Sequence, residues 1–268
     1  MFINRWGRSI LYGGSFVGTI AGIYVLADDL FKRKVFEKEQ VALEDLEKNK
    51  EKVYLVTGAN TGIGRALAWE LASLQYKVFL LCRDMKKCEK TRETIVLDTK
   101  NNSQASIRSF VEEFKKTQPS GIDGLCNNAG VMEIQTRSTT SEGIETHFGV
   151  NHVGHFLLTR LLEEDLKARK GRIVYLLNLN YRLGALDFKD INFKRKDYEP
   201  AKAYMQSQLA NAMFIHHYAK LHSPEELSIF GAYPGVCNTE IKRYMSVENS
   251  YMGKYVSGPF LRLFGRQA

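Results

Sequence analysis

The chain has 268 residues, 44% of them hydrophobic, which is enough for one sizeable domain with a buried core. No repeat, low-complexity tract or Pro/Ser-rich linker indicates a second domain. The net charge of +8 comes from scattered basic residues and short clusters, which argues against a nucleic-acid partner and favours a solvated surface near a membrane. Cys82, Cys88, Cys126 and Cys237 lack metal-ligand spacing, so we predict no metal site, reduced thiols and a cytosol-facing domain.

The first element in chain order is an uncharged apolar stretch, residues 9–27, long enough to span a bilayer as a helix. Two basic residues precede it and four follow it closely: Arg5 and Arg8, then Lys32, Arg33, Lys34 and Lys38. This asymmetry favours a cytosolic domain after the span. We predict a membrane anchor over residues 1–28 and a juxtamembrane linker over 29–50. A cleaved signal peptide and mitochondrial targeting remain alternatives.

A βαβ unit follows at Lys52, where "KVYLVTGANTGIGRALAWELASLQYKVFLLCRD" contains an apolar run, a glycine-rich turn, a helix of period 3.6 and a second apolar run. Gly58, Gly62 and Gly64 permit a tight turn, close approach of the backbone to a pyrophosphate, and close packing of the helix on the strand. A glycine motif in this position predicts a dinucleotide site. The same loop contributes Asn60, Thr61 and Ile63 to that site.

The end of the second apolar run bears on the choice of cofactor. Arg83 lies 19 residues after Gly64. An acidic residue at about this distance binds the ribose hydroxyls of NAD, whereas an arginine suits a 2′-phosphate. We therefore predict NADP(H) rather than NAD(H), although Asp84, the next residue, keeps NAD(H) open.

Further motifs follow in order: "NNAG" at residues 127–130, "VNHVGHFLLT" at 150–159, Tyr204, and "YPGVCNT" at 233–239. Together with "TGANTGIG" they make the chain resemble the short-chain dehydrogenase/reductase family, and most closely its retinol dehydrogenase-like members. The resemblance covers nearly everything from Lys52 onward. It implies an α/β fold, a Rossmann-like doubly wound parallel sheet over residues 51–268, with a nicotinamide cofactor and the substrate above the carboxyl ends of the strands.

The resemblance also assigns cofactor contacts by motif position. Three residues would lie near the adenosine side of the cofactor: Asn128, Ala129 and Gly130. Four others would border the nicotinamide: Pro234, Gly235, Val236 and Thr239.

The chemistry that the resemblance implies is hydride transfer coupled to proton transfer by a tyrosine. In the family, a lysine four positions later, a serine on the preceding strand and an asparagine on another helix support that tyrosine. Tyr204 and Asn151 occupy the tyrosine and asparagine positions, but Asn178 stands at the serine position and Gln208 at the lysine position. A neutral amide cannot lower the tyrosine pKa by charge. We therefore predict a crippled active site that could still bind the cofactor.

Both edges of the sheet are expected to be trimmed. The interval after the second strand leaves room only for a stub of a third strand at residues 95–98, or for none, and the chain stops before the last helix and strand of the family pattern. Five interior strands are expected: 52–57, 77–82, 124–127, 172–177 and 228–233. The edge strands would then expose unpaired backbone hydrogen-bonding groups, which a partner, a membrane surface or a homodimer could cover.

Two functions follow from these expectations, and a degenerate copy of the family with neither function is the third alternative. The first is an NADP(H)-dependent oxidoreductase that acts on an apolar alcohol or carbonyl, such as a retinoid, steroid or lipid. The second is a catalytically inactive module that senses nucleotide or binds a partner. In both cases we expect a membrane-anchored protein of the endoplasmic reticulum, with a mitochondrial membrane as the alternative.

Overall fold

A computed structural model describes residues 49–82, 86, 88, 89, 91 and 107–235, together with the backbone of 237–238 and 266–267. The predicted anchor and linker lie almost wholly outside these residues. No helix within the described part is long and apolar enough to cross a bilayer.

The core of the fold is a five-stranded parallel sheet. Its strands are β1 (Val53–Thr57), β2 (Lys77–Leu81), β3 (Gly124–Asn127), β4 (Arg172–Leu176) and β5 (Ser228–Ala232), in the spatial order β2-β1-β3-β4-β5. The strand order reverses between β1 and β3, and in doubly wound sheets this reversal places a crevice at the carboxyl ends of those strands. The five interior strands that the sequence predicts are therefore confirmed, with ends shifted by one residue at most.

Five α-helices accompany the described sheet: α1 (Gly62–Ser73), α2 (Ile107–Thr117), α3 (Gly154–Leu161), α4 (Glu163–Ala168) and α5 (Pro200–Tyr218). A π-helical segment, Phe148–Val153, runs directly into α3, and a 3₁₀ turn, Leu179–Leu183, follows β4. Pro200 opens α5 because its fixed φ suits a first helical turn, where its missing N–H costs nothing.

Apolar residues cover both faces of the sheet, as parallel strands require. Val53 and Leu55 pack with Phe114 of α2 in the larger cluster, whereas Val56 packs with Ala68 of α1 in the smaller one. Because successive side chains of a strand point to opposite faces, the face with Val53 and Leu55 packs against α2 and the face with Val56 packs against α1.

At the two sides of this sheet the described strands are β2 and β5. Residues 95–98, the site of the expected third-strand stub, lie outside the described residues, so the trimming of that edge stays a prediction. Near the carboxyl end, a short parallel pair joins β6 (Cys237–Asn238) to β7 (Arg266–Gln267).

The expectation of four reduced cysteines is wrong for Cys82 and Cys88, which form a disulfide. Their Cα atoms lie 5.9 Å apart, a separation that a disulfide can bridge. Spacing in the sequence could not show this approach, because it does not determine the distance between two residues six positions apart. Cys126 is free, and burial raises the pKa of its thiol to about 12.

Replacement of Phe114 by alanine tests the larger cluster. The ring is fully buried, packs edge-on against Phe79 with centroids 5.0 Å apart, and stacks on Phe110. We expect Phe114→Ala to lower the free energy of unfolding by about 3–5 kcal/mol. Denaturant unfolding of the detergent-solubilised full chain measures this loss. The exposed Leu221→Ala is the control, expected within about 0.5 kcal/mol of the parent, and equal losses in the two variants would contradict this description of the core.

Candidate active site

The glycine-rich loop has the backbone conformation that a dinucleotide site needs. Gly58 and Gly62 have φ values of +63° and +54°, a region that favours glycine. Gly64 lies so close to its surroundings that a Cβ there would fall 2.4 Å from the Asn128 Nδ2 and 2.6 Å from the Gly58 carbonyl oxygen. Helix α1 begins at Gly62 with no acidic residue in its first turn and no side-chain cap from Thr61. Its N-terminal N–H groups and dipole therefore suit a pyrophosphate.

The "NNAG" segment is bound to this loop through Asn128. The Asn128 Nδ2 donates to the Thr57 carbonyl at 2.8 Å, and the backbone N–H groups of Asn128 and Ala129 both donate to the Thr57 Oγ1 at 2.9 Å. The structure therefore brings the two predicted cofactor segments together at the reversal point of the sheet.

A buried histidine completes this junction. The His155 Nδ1 lies 3.0 Å from the Asn151 carbonyl oxygen, which can only accept, so Nδ1 carries the proton. Burial lowers the pKa of His155 to about 4. The neutral Nε2 therefore accepts from the Thr57 hydroxyl at 3.0 Å. The Thr57 hydroxyl thus accepts from two backbone N–H groups, and its proton lies between two acceptors, the His155 Nε2 and the Cys126 carbonyl oxygen at 3.3 Å.

Six other predicted cofactor residues follow β1, β3 and β5 in the chain. Asn60 and Thr61 lie in the loop before α1, and Ile63 lies in the first turn of the helix. Gly130 follows β3, and Pro234 and Gly235 follow β5, with Gly235 at a φ of +79°. Four positions lie outside the described residues: Arg83, Asp84, Val236 and Thr239.

The tyrosine, serine and lysine positions of the family meet at the end of β4. Tyr204 is only 4% exposed, and the nearby Asn178 side chain lowers the pKa of its phenol. The Asn178 Oδ1 accepts from the Asn180 N–H at 3.0 Å. Gln208, also buried, accepts from the Asn178 backbone N–H through its Oε1 at 2.9 Å.

The electrostatics of this site favour a protonated tyrosine. Burial raises the pKa of Tyr204 to about 12; the hydrogen bond from Asn178 opposes this shift, and the charge of Glu133 adds to it. Lys202 is exposed and pairs with Glu199. The acidic Glu133 is therefore the charged group that acts on the phenol among the described residues.

Asn151 lies within the π-helical segment, a distortion that often marks functional sites. Its Oδ1 accepts from the Val131 N–H, and its Nδ2 donates to the Val131 carbonyl and to the Ser207 Oγ. Its carbonyl oxygen accepts from His155 and from the Asn211 Nδ2. The polar atoms of its side chain and its carbonyl oxygen are therefore already bonded to protein, which disfavours a water held by this residue.

A buried carboxylate lies behind Tyr204. Glu145 accepts from the backbone N–H groups of His147 and Phe148, from the His147 Nδ1 at 2.8 Å and from the Tyr198 hydroxyl at 3.1 Å. Burial alone would raise the pKa of Glu145, but these hydrogen bonds hold it below the ordinary value. The His147 ring lies edge-on to the Tyr204 ring with centroids 6.3 Å apart. This cluster ties the segment before α5 to the wall of the site.

Sequence reasoning missed Thr57, His155, Glu145 and His147. All four are buried polar residues, and two of them belong to segments that the sequence did single out, the first strand and "VNHVGHFLLT". Polar residues inside an apolar or motif segment were the available signal, because buried polar groups need partners.

Comparison with known proteins gives the family. Residues 52–180 match the family model described as "short chain dehydrogenase". The chain is 36% identical over 260 residues to human retinol dehydrogenase 13, covering 93% of this chain and 76% of that protein. The mouse protein of the same name is 40% identical over 223 residues, covering 79% and 66% of the two chains. The chain belongs to the short-chain dehydrogenase/reductase family.

Within the family the chain is retinol dehydrogenase-like, and the matched region spans about two thirds to three quarters of these relatives. A solved structure confirms the fold: a metagenomic short-chain oxidoreductase in complex with NADP superposes with a TM-score of 0.56 at 23% identity, covering 69% of this chain and 82% of that one. The members of this family to which the chain is similar are NAD(P)-dependent oxidoreductases that act on alcohols.

Replacement of Thr57 tests the junction between the two cofactor segments. Thr57→Val removes the hydroxyl at nearly constant volume and leaves the Ala129 N–H and the His155 Nε2 without this partner, whereas the Asn128 N–H keeps the Cys126 carbonyl oxygen at 3.1 Å. We expect a loss of about 1–3 kcal/mol for each group left unpaired. Thr57→Ser keeps the hydroxyl and should cost about 1 kcal/mol, chiefly for the methyl group. Thermal unfolding compares the two, and equal stability would contradict the hydrogen-bond assignment.

Proposed function

We propose that this protein binds NADP(H) and, because its proton-transfer site is neutral, oxidises or reduces an apolar alcohol or carbonyl slowly or not at all. The observation that carries the proposal is the bond from the Asn178 N–H to the Gln208 Oε1. Gln208 occupies the position of the family lysine, carries no charge, and is already hydrogen-bonded to the backbone that follows β4.

Cofactor binding is supported by the geometry of the loop. The positive φ values of Gly58 and Gly62 and the uncapped start of α1 fit a pyrophosphate, so the residues present suit a dinucleotide. Arg83 is the proposed partner of a 2′-phosphate, and the NADP complex of a related fold is compatible with this choice. The bound cofactor would supply the hydride.

The residues of this chain would supply little of the accompanying proton transfer. At a pKa of about 12, roughly one Tyr204 in 10⁵ is a phenolate at pH 7, which makes it a poor base for alcohol oxidation. Asn178 can orient the phenol, and Gln208 can hold the strand end, but neither carries a charge. Removal of one positioned acid or base group typically costs 10²- to 10⁴-fold in rate.

The proposed substrate class is an apolar alcohol or carbonyl such as a retinoid, steroid or lipid. It rests on the retinol dehydrogenases to which the chain is similar. Anchoring by residues 1–28 in the endoplasmic reticulum or a mitochondrial membrane, and assembly as a homodimer, belong to the same proposal.

The alternative is a pseudoenzyme that senses NADP(H) or binds a partner. The hydrogen bonds of Asn151 favour it, because they occupy the side chain and carbonyl that would support a proton-relay water. The two proposals share cofactor binding and differ in turnover.

Titration of the full chain in detergent with NADPH, and separately with NADH, tests cofactor binding. We expect NADPH to raise the melting temperature and to quench the fluorescence of Trp69 on α1, with NADH weaker. At a concentration a hundred times its Kd, the cofactor would add about 2.7 kcal/mol of stability. Gly64→Ala should abolish binding, since the new Cβ meets Asn128 and Gly58, and Arg83→Ala should lose the preference for NADPH. The absence of stabilisation by either cofactor at millimolar concentration would refute the proposal.

The pH dependence of turnover tests the protonation state of Tyr204. Because phenolate is the base for alcohol oxidation and its pKa is about 12, any activity should rise about tenfold per pH unit between pH 7 and 9. Tyr204→Phe controls for background.

In the Asn178→Ser plus Gln208→Lys variant the ammonium should move the rise to lower pH and increase the rate at pH 7 by about 10²-fold or more. Gln208→Glu is the matched control, since it keeps an acceptor for the Asn178 N–H but adds no positive charge. A flat parent profile that Tyr204→Phe abolishes would mean that the phenol is already ionised. Absence of turnover in the parent, together with cofactor binding, would favour the pseudoenzyme.

A further inference from the structure

The connection from β4 to α5 exposes large apolar side chains. Within this segment, residues 179–196, Leu183 is 75% exposed, Phe188 is 76% exposed and Leu179 is 41% exposed. The next most exposed large apolar side chain in the described part of the chain is Leu221 at 57%. Exposure of this degree at two positions of one short segment indicates a surface that contacts something apolar.

The backbone of the same segment is firmly held from within. The Asp190 carboxylate accepts from the backbone N–H groups of Lys194, Arg195 and Lys196 at 2.7–3.1 Å. Burial raises the pKa of Asp190, but these three bonds hold it below the ordinary value, so it stays ionised at neutral pH. A turn closed in this way leaves all three basic residues exposed.

Two further contacts fasten the segment to the rest of the domain. The Asn192 carbonyl oxygen accepts from the Arg137 Nε at 2.8 Å, and its Oδ1 accepts from the Glu145 N–H at 2.8 Å. These contacts hold the part of the segment that follows Leu183 and Phe188 against the rest of the domain.

The charges of the segment are mostly positive. It contains five basic residues and two acids: Arg182, Lys189, Lys194, Arg195 and Lys196, with Asp187 and Asp190. Lys196 forms an ion pair with Asp187, and Asp190 is satisfied by backbone N–H groups. The surface thus presents exposed cations beside Leu183 and Phe188.

We propose that residues 179–196, the interfacial loop, contact the surface of an anionic lipid bilayer. Leu183 and Phe188 enter the boundary between headgroups and acyl chains, while the cations bind headgroup phosphates and carboxylates. Positive charge on the loop complements the negative surface of such a membrane. The loop follows Asn178 directly, and Asp197, Tyr198 and Glu199 separate it from the helix that carries Tyr204. An apolar ligand could therefore pass between the bilayer and the site without crossing water.

Depth-dependent quenching in vesicles tests this surface with the full chain. The chain is reconstituted in phosphatidylcholine vesicles with or without phosphatidylserine, with brominated acyl chains as the quencher. Phe188→Trp reports on the loop, and Phe230→Trp, a 51%-exposed position on β5, is the matched control. The parent chain corrects for Trp6 and Trp69. We expect extra quenching for Phe188→Trp alone, and stronger quenching in vesicles that contain phosphatidylserine.

Charge variants separate insertion of the loop from general association of an anchored chain. Lys194→Gln plus Arg195→Gln, in the Phe188→Trp background, should weaken contact roughly fivefold for each cation removed. Both positions are exposed, and their backbone N–H groups remain available to Asp190, so the fold should persist; an unchanged melting temperature checks this.

The proposal is overturned if Phe188→Trp is quenched no more than Phe230→Trp. It is also overturned if the quenching of Phe188→Trp changes neither with phosphatidylserine content nor with the removal of the two cations. A pure protein-docking surface would give that result. Leu183→Trp repeats the test at a second position, and the outcome does not depend on turnover or cofactor binding.

Discussion

The site depends on a helix face that is buried, polar and uncharged. Helix α5 turns Tyr204, Ser207, Gln208 and Asn211 inward, and all four are almost completely excluded from solvent. A polar group in such a place is costly unless it is paired. The pairing closes on two neighbouring elements: Gln208 binds the backbone after β4, and Asn211 and Ser207 bind Asn151 in the π-helical segment. The position of the phenol therefore follows from neutral hydrogen bonds.

The two residues that depart from the family pattern, Asn178 and Gln208, belong to one cluster of contacts. Asn178, which stands in place of the serine, lowers the pKa of the Tyr204 phenol, and its backbone N–H donates to Gln208, which stands in place of the lysine. A lysine at 208 has no acceptor atom, so it would leave that N–H without this partner. Asn178 and Gln208 are therefore compatible with each other structurally. Because neither carries a positive charge, the pKa of the Tyr204 phenol stays high. The glycine-rich loop after Thr57 keeps the backbone conformation that a dinucleotide site needs, with positive φ values at Gly58 and Gly62.

Much of this could be predicted from the sequence because the signals are local. The glycine spacing predicted the loop between β1 and α1, and apolar runs predicted five strands that the structure confirms. The positions of Tyr204, Asn178 and Gln208 followed from motif order. Their contacts did not, because the Asn178 N–H and the Gln208 Oε1 are brought together by the packing of a helix on a strand end thirty residues away.

Other features were out of reach for the same physical reason. The Cys82–Cys88 disulfide joins two residues whose distance the sequence spacing does not determine. The Thr57 and His155 contact joins residues 98 positions apart. Phe188 is 76% exposed, and no apolar periodicity distinguishes an exposed phenylalanine from a buried one.

The most direct test of the neutral site is to observe the ionisation of Tyr204 itself. The full chain, labelled with tyrosine carrying ¹³C at Cζ, is titrated by NMR in detergent micelles, and Tyr204→Phe assigns the resonance. We predict that the Tyr204 signal keeps the chemical shift of a protonated phenol at least to pH 10, and that Asn178→Ser plus Gln208→Lys shifts its titration to lower pH. A parent resonance that titrates between pH 7 and 9 would contradict the account.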